Sequence, residues 1–357
     1  MSARRPLEVH LVGWLPPPYG GISVHVSRLR RRLIEAGHRC TVWCESPRPG
    51  QNERLLERPA RALRDLAGIG RDAVIHYHNS HFLAGVLSCL HNRTVFTTHN
   101  ERPGESLTGG RFPVQWLFRR VARRRFRRVP HHIAVSERAK ALLVQLGVRP
   151  ESVSVINAYL PPTGDEEAHP ASAAAFAEFR ARFRWVLTAN ASIVKFHAGE
   201  DLYGADLCLE LLAELVASHP DAGLALAISH GGGSAYVTAL QARARELGVA
   251  ERILWMFEPG AYHPLLRHCD LFLRPTNTDG FSVSVAEAFE FGVPVVASDA
   301  VPRPCGCALF RNRDAADFLR AVRAVLDDLP AWRAKSQAAR EPDHFPRILE
   351  LYERVCA

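Results

Sequence analysis

Residues Leu271–Ser298 read LFLRPTNTDGFSVSVAEAFEFGVPVVAS. Leu271–Arg274 and Val293–Ala297 are short apolar runs, and the segment between them passes from a Pro/Asn/Asp/Gly-rich loop into a helical stretch closed by Gly292. The order is strand, loop, helix, turn, strand, which is the repeating unit of a parallel α/β sheet. Two carboxylates, Asp279 and Glu287, flank the Gly280-Phe281-Ser282 turn. A helix that begins after such a turn directs unpaired N–H groups and the positive end of its dipole at the loop, where an anion is favoured. Carboxylates beside an anion site accept hydrogen bonds from hydroxyls, so the pattern suits a ligand that is part sugar and part phosphate. A second reading fits the same residues. Ser284 and Glu287 have capping-box spacing, and Asp279-Gly280 is an ordinary turn dipeptide.

The rest of the chain supplies the context. Its 357 residues suit two domains, and 47% hydrophobic with 23% charged residues is a globular balance. No apolar run reaches the ~18 residues that span a bilayer. The first apolar run, Val9–Leu15, leads into Pro16-Pro17-Pro18 without the pattern of a secretory signal. Eight cysteines are scattered, with only Cys305 and Cys307 close together. We therefore expect reduced thiols, a cytoplasmic compartment and no zinc site from cysteine spacing. The net charge of +8 is uneven: residues 1–160 hold 26 Lys+Arg against 11 Asp+Glu, a net of +15, and the remainder has a net of −7. The two halves are expected to meet different partners.

Strand candidates in the first half are Val9–Leu15, Cys40–Cys44, Ala73–Tyr77, Thr94–Thr98, Ile133–Val135 and Ser152–Ile156, with helices at Ser23–Ala36 and Ser136–Leu146. Pro161-Pro162-Thr163-Gly164 and the acidic, Ala-rich sequence after it read as a connection between domains spanning 1–165 and 183–335. The alternation then restarts with strands Trp185–Ala189, Gly223–Ser229 and Arg252–Met256, and helices Ala205–Ser218 and Ala235–Leu247. The expected fold is α/β, with two doubly wound Rossmann-like domains facing across a cleft. Ligands of such sheets sit at the carboxyl ends of strands. Four strand ends carry candidate chemistry: Gly20-Gly21 opening a helix, His99, the polar segment 190–204 with Lys195, and the Asp279–Glu287 segment. Structural readings of the glycine pair and of any single histidine stay open at this point.

With these residues in view, the chain resembles glycosyltransferase family four over nearly its full length. The resemblance includes Gly20-Gly21, His99, IAVSERAKALLVQLGV from Ile133, VSVINAYLPP from Val153, and the run from DLFLRPTNTDGF to GVPVVAS. It implies the GT-B fold, a terminal helix at His344–Val355 crossing back onto the first domain (340–357 with 1–165), and retaining sugar transfer from a nucleotide-diphosphate sugar. By the same resemblance, His99 and Asp279 serve catalysis near the transferred sugar. Gly20 and Gly21 face the diphosphate, the backbone from Gly280 through Phe281 and Ser282 to Val283 holds the donor, and Glu287 takes the ribose. The departures are Asp279 for the family's first Glu, Gly-Phe-Ser for Gly-Phe-Gly, and Tyr203-Gly204 where the family has Lys-Gly. Lys195 is the candidate replacement cation, with Arg274 and Arg303 as rivals.

No cofactor is expected, since the donor is a substrate, and no Asp-x-Asp metal motif is present. Fixed N–H dipoles and a cation can stabilise a leaving diphosphate. The basic run Arg111–Val129 holds eight arginines around an apolar stripe of Val114, Leu117, Phe118, Val121, Ala122 and Phe126. It fits either a packed helix with a solvated basic face or a helix lying on anionic lipid, with Phe112 and Trp116 at the interface and Arg119, Arg120, Arg123, Arg124 and Arg127 toward headgroups or acceptor. Expected partners are the nucleotide sugar, a glycan or polyprenyl-diphosphate-linked acceptor of cell-surface polysaccharide synthesis, and the inner membrane face. Nucleic acid is not expected, because no recognition motif accompanies the arginines. Two other readings remain: a catalytically silent nucleotide-sugar binder, and a nucleotide-sugar epimerase on the same fold.

Overall fold

The structure, a computed structural model, describes residues 6–17, 19–44, 53–55, 65–66, 68–78, 93–99, 120, 123–164 and 166–357. The chain forms two compact units: Met1–Pro17, Ile22–Leu160 and Asp343–Ala357 make the first, and Pro18–Gly21 with Pro161–Pro342 the second.

The first unit is built on β1 (Glu8–Gly13), β2 (Arg39–Cys44), β3 (Glu53–Leu55), β4 (Val74–His78), β5 (Thr94–Thr98), β6 (His131–Ala134) and β7 (Val153–Val155). All pairings are parallel and the order is β3-β2-β1-β4-β5-β6-β7. Side chains alternate across the sheet, so Val9 and Leu11 of β1 enter one apolar cluster and Val12 the other. Helix α1 (Gly21–Glu35) covers the first face through Val26, Leu29 and Leu33, one apolar stripe at helical spacing. Gly37, at φ +83°, ends it with His38 N–H donating to Leu33 O at 2.9 Å. Helix α2 (Glu137–Gln145) packs Ala139 and Leu143 on the other face, its start capped by Ser136 accepting from Ala139 N–H at 3.1 Å. The C-terminal helix Phe345–Cys356 adds Phe345, Ile348, Leu351 and Tyr352 to the α1 face. Arg32 pairs with Asp343 at 2.6 Å just before it.

The second unit contains α3 (Pro170–Arg182), β8 (Trp185–Ala191), the small antiparallel pair β9 (Phe196–His197) and β10 (Glu200–Asp201), α4 (Ala205–Leu215), β11 (Ala222–Ile228), α5 (Ala235–Glu246) and β12 (Ile253–Phe257). After these come α6 (His263–Leu266), β13 (Leu271–Arg274), α7 (Val283–Glu290), β14 (Val295–Ser298), β15 (Cys307–Phe310), α8 (Ala315–Asp327) and α9 (Leu329–Ala338). Its parallel sheet runs β12-β11-β8-β13-β14-β15. Leu187, Leu271, Leu273 and Val296 point to one apolar cluster; Val186, Phe272, Val295 and Ala297 point to the other. Both faces are covered, which accounts for the unbroken apolar strands. Truncating a leucine as buried as Leu273 to alanine costs ~2–5 kcal/mol.

Within each sheet the strand order is that of a doubly wound Rossmann unit, with a switch point between β1 and β4 in the first and between β8 and β13 in the second. One expectation is corrected and one strand is added. The Ala-rich stretch beyond Pro161 is no open connection: it contains α3, whose Phe176 and Phe179 sit in the second unit's core. The strand β15, too short to register as a periodic run, closes the sheet edge beside β14.

Candidate functional site

At the second unit's switch point, β13 ends in Arg274 and β8 carries Asn190. Arg274 Nη1 donates to Asn190 Oδ1 at 3.1 Å, tying the two strand ends together. Its Nε donates to Asp279 Oδ2 at 2.9 Å. Arg303, from the segment after β14, brings Nη1 to the same oxygen at 3.0 Å. Arg303 is itself held by its Nε donating to Ser298 O at 3.0 Å and Nη2 to Thr276 Oγ1 at 2.7 Å. Side-chain exposures are 10% for Arg274, 2% for Arg303 and 11% for Asp279. Burial works against the Asp279 charge, but Arg274 and then Arg303 outweigh it and hold the carboxyl below the usual carboxylate range. Two guanidiniums against one carboxylate leave the cluster with an excess positive charge.

Asp279 is one methylene shorter than glutamate, and its Oδ2 is drawn inward to the arginines. Oδ1, which accepts from Gly280 N–H at 3.1 Å, faces the turn. Helix α7 starts four residues later. Its N-cap is Ser282, at φ −82° and ψ 97°, with no side-chain capping bond. The Gly-Phe-Ser turn thus needs no left-handed residue at Ser282, and serine replaces glycine there without strain. The capping-box reading is corrected by the same geometry. Ser284 lies inside the helix, where its Oγ accepts from Asn190 Nδ2 at 2.8 Å. Glu287 is buried in the second turn of α7, Phe281 is half-buried, and Val283 is buried at the helix start. The Ser282 hydroxyl oxygen is buried and without a hydrogen-bond partner among the described residues.

Tyr203, standing where the family has lysine, has its ring under the Arg274 guanidinium at 5.4 Å, and its hydroxyl meets Ser192 Oγ at 2.5 Å. The following Gly204 has φ +68°, and an added Cβ there would lie 2.5 Å from Pro275 O. Glycine is required there by both conformation and space. Asp201 fixes this corner, accepting from Tyr203 N–H at 2.9 Å and Ala205 N–H at 2.8 Å. Lys195 is exposed in the loop before β9, whereas Arg274 and Arg303 sit on Asp279.

In the first unit, β4 ends in His78, His99 follows β5, and His25 lies on the second turn of α1. All three are buried. His78 Nδ1 and His99 Nε2 are 3.0 Å apart, and the His25 ring lies 5.2 Å from that of His78 and 5.0 Å from that of His99, centre to centre. Burial lowers the pKa of each, that of His25 to about 4, so all are neutral at pH 7. His76 backs the group, 4.0 Å from the His78 ring, with hydrogen bonds to Tyr352 and Thr97. Sequence reading reached His99 and missed His25, His76 and His78. The alternation His76-Tyr77-His78 at a strand end was the available signal for two of them. Gly20 precedes α1 and Gly21 opens it.

Of the basic run, Trp116, Phe112 and Arg119 lie outside the described residues. Phe126 and Val129 are buried in the first unit's core, Phe126 edge-on to Phe96 at 4.9 Å. Arg120, Arg124 and Arg127 are exposed and Arg123 is half-buried. No described helix is long and apolar enough to cross a membrane.

Residues 19–158 match the family model described as Glycosyltransferase Family 4, and residues 196–328 match that described as Glycosyl transferases group 1. A curated relative, the lipopolysaccharide core biosynthesis mannosyltransferase LpsB of Rhizobium meliloti (strain 1021), is 35% identical over 97 residues, a match taking in 27% of this chain and 28% of that protein. Among solved structures, Anabaena HepE in complex with UDP superposes with a TM-score of 0.67 at 18% identity over 98% of both chains. Sucrose-phosphate synthase of Thermosynechococcus elongatus gives 0.69 at 16% identity, over 98% of this chain and 99% of that one. At such identities the structural likeness establishes the fold. With a family model on each unit, the chain belongs to the family-four glycosyltransferases of the GT-B fold.

Proposed function

We propose that the chain is a retaining glycosyltransferase that takes a sugar from a nucleotide-diphosphate donor held by the second unit and delivers it to a glycan or lipid-linked acceptor of cell-surface polysaccharide synthesis. The observation that carries this reading is the Arg274–Asp279–Arg303 cluster at the end of β13, beside the side-chain-uncapped start of α7. Excess guanidinium charge and helix N–H groups suit a diphosphate, and the unpartnered Ser282 hydroxyl adds a donor. As the sugar–oxygen bond breaks, charge accumulates on the departing phosphate, and Arg274 is the cation placed to stabilise it. No metal ion is needed at that step. Asp279 Oδ1 accepts from sugar hydroxyls, Glu287 from the ribose, and His99 serves the acceptor hydroxyl. Retention follows if the acceptor attacks the face the diphosphate leaves, with a phosphate oxygen taking its proton.

The donor complexes of HepE, with UDP and UDP-glucose, support a uridine nucleotide as the first candidate, and the LpsB match supports a lipopolysaccharide-core-type acceptor. The exposed arginines of the basic run would hold such an acceptor at the inner membrane face. The test is a panel of nucleotide sugars incubated with membrane lipid extract, products identified by mass. The reading predicts release of nucleoside diphosphate only with acceptor, and its loss in Glu287→Ala. Donor binding without acceptor-dependent release would instead identify a silent binder.

A further inference from the structure

We propose that His25, His78 and His99 form a three-imidazole site for a divalent first-row transition-metal ion, zinc being the first candidate. One ring nitrogen from each lies within 4.8 Å of the others. The 3.0 Å between His78 Nδ1 and His99 Nε2 is close to the ~3.3 Å that separates two nitrogens on a tetrahedral ion with ~2.05 Å bonds. His25 gives the independent sign of a ligand. Its Nδ1 lies 2.7 Å from Ala158 O, a group that only accepts, so Nδ1 carries the ring's proton. Nε2 of this neutral ring therefore presents a bare lone pair, and it is buried with no hydrogen-bond partner among the described residues. A ligand histidine held through its far N–H by a backbone carbonyl is the usual outer arrangement around a bound metal.

The other two rings face each other through their hydrogen-bonded nitrogens, His78 Nδ1 and His99 Nε2. Only one of the two facing nitrogens of His78 and His99 carries the proton of their hydrogen bond. When an ion takes its place, that proton moves to the far nitrogen of its own ring, which stays a neutral imidazole. The far nitrogen of His78, Nε2, is buried and has no hydrogen-bond partner among the described residues. His76, engaged at both nitrogens by Tyr352 and Thr97, is a positioning residue that fixes the His78 ring. Gly13 leaves room for that ring, since an added Cβ would lie 3.1 Å from His78 Cβ. Neutral imidazoles suit zinc, nickel, cobalt and copper over magnesium or calcium. The charge of Arg28 bears on His25 and opposes a dication, so binding is weaker than at a thiolate site. The site stands whether or not the chain transfers sugar, and while an ion holds His99 Nε2 that nitrogen is withheld from the acceptor hydroxyl.

The full chain, stripped with a chelator, is titrated with Co²⁺ under visible absorption and with Zn²⁺ against a chromophoric indicator. We expect one ion per chain and a ligand-field band of a low-coordinate nitrogen site. His25→Ala and His78→Ala should each weaken binding by about 100-fold, and His38→Ala, outside the cluster, should leave it unchanged. If either variant fails to fold, X-ray absorption of the zinc-loaded wild type decides, with imidazole nitrogens at ~2.0–2.1 Å expected. No stoichiometric binding, affinity unchanged in folded variants, or an oxygen-only shell would overturn the proposal.

Discussion

In the first unit, β1, β4 and β5 end in Gly13, His78 and Thr98-His99, and uncharged imidazoles fill the space beyond them. In the second unit, β8 and β13 end at Ala191 and Arg274, and a guanidinium–carboxylate–guanidinium cluster takes the equivalent place. The strand order around the two switch points is the same, so topology fixes where a ligand is expected and leaves its chemistry open. The neutral cluster suits hydroxyl groups, protons or a metal ion. The charged one suits phosphate. The contrast is also thermodynamic: protons destabilise the first cluster by entering it and the second by removing its one carboxylate charge.

The strongest way to break the second cluster is Asp279→Ala, which strands two buried guanidiniums. A loss of ~3–5 kcal/mol is expected from denaturant unfolding, together with loss of transfer. Asp279→Asn, which keeps the shape and removes the charge, should be less damaging to folding and equally damaging to sugar placement.

Acid sharpens the comparison next. The buried histidines His25, His76, His78, His99 and His132 of the first unit have folded pKa values depressed by burial below the ~6.5 of the unfolded chain, those of His25 and His132 to about 4. Their contribution is complete above pH ~6.5 and is lost as pH falls toward 4, because the unfolded chain takes up protons first. Each such histidine tilts stability by ~1.4 kcal/mol per pH unit over that window. Asp279, also depressed, holds its contribution until below pH ~3.9 and loses it only through its own folded pKa. Unfolding followed between pH 7 and 4 should therefore weaken the first unit before the second cluster titrates. A flat profile would contradict the burial of neutral imidazoles. The smallest effect is expected from Lys195→Ala: exposed and no partner in the Asp279 ion pairs, it should change transfer by less than ~3-fold.

Much of the frame was legible. Thr94–Thr98 is an unbroken run of apolar and β-branched residues, Leu271–Arg274 is an apolar run closed by an arginine, and the structure gives strands with those bounds. The helix α3 was hidden because PASAAAFAEFRAR is nearly uniform in polarity around its axis, with only Phe176 and Phe179 marking the buried side. At the sites, strand ends revealed His99 and Arg274. The partners did not announce themselves. Arg303 was named only as a rival cation, and nothing in its spacing showed that it reaches Asp279 from 24 positions away; His25, on a helix, joins two strand-end histidines at no motif spacing. Such groupings come from topology, which only the assembled sheet supplies.

The central claim is that the arginine cluster of the second unit holds the donor's diphosphate, and calorimetric titration with UDP, GDP, ADP and TDP tests it directly. Arg274→Ala is the informative variant, since Arg303 stays to pair Asp279 and the fold is retained. Whichever nucleotide binds the wild type should bind this variant ~10–100-fold more weakly, the worth of one charge-assisted contact. Equal affinity for wild type and variant would contradict it.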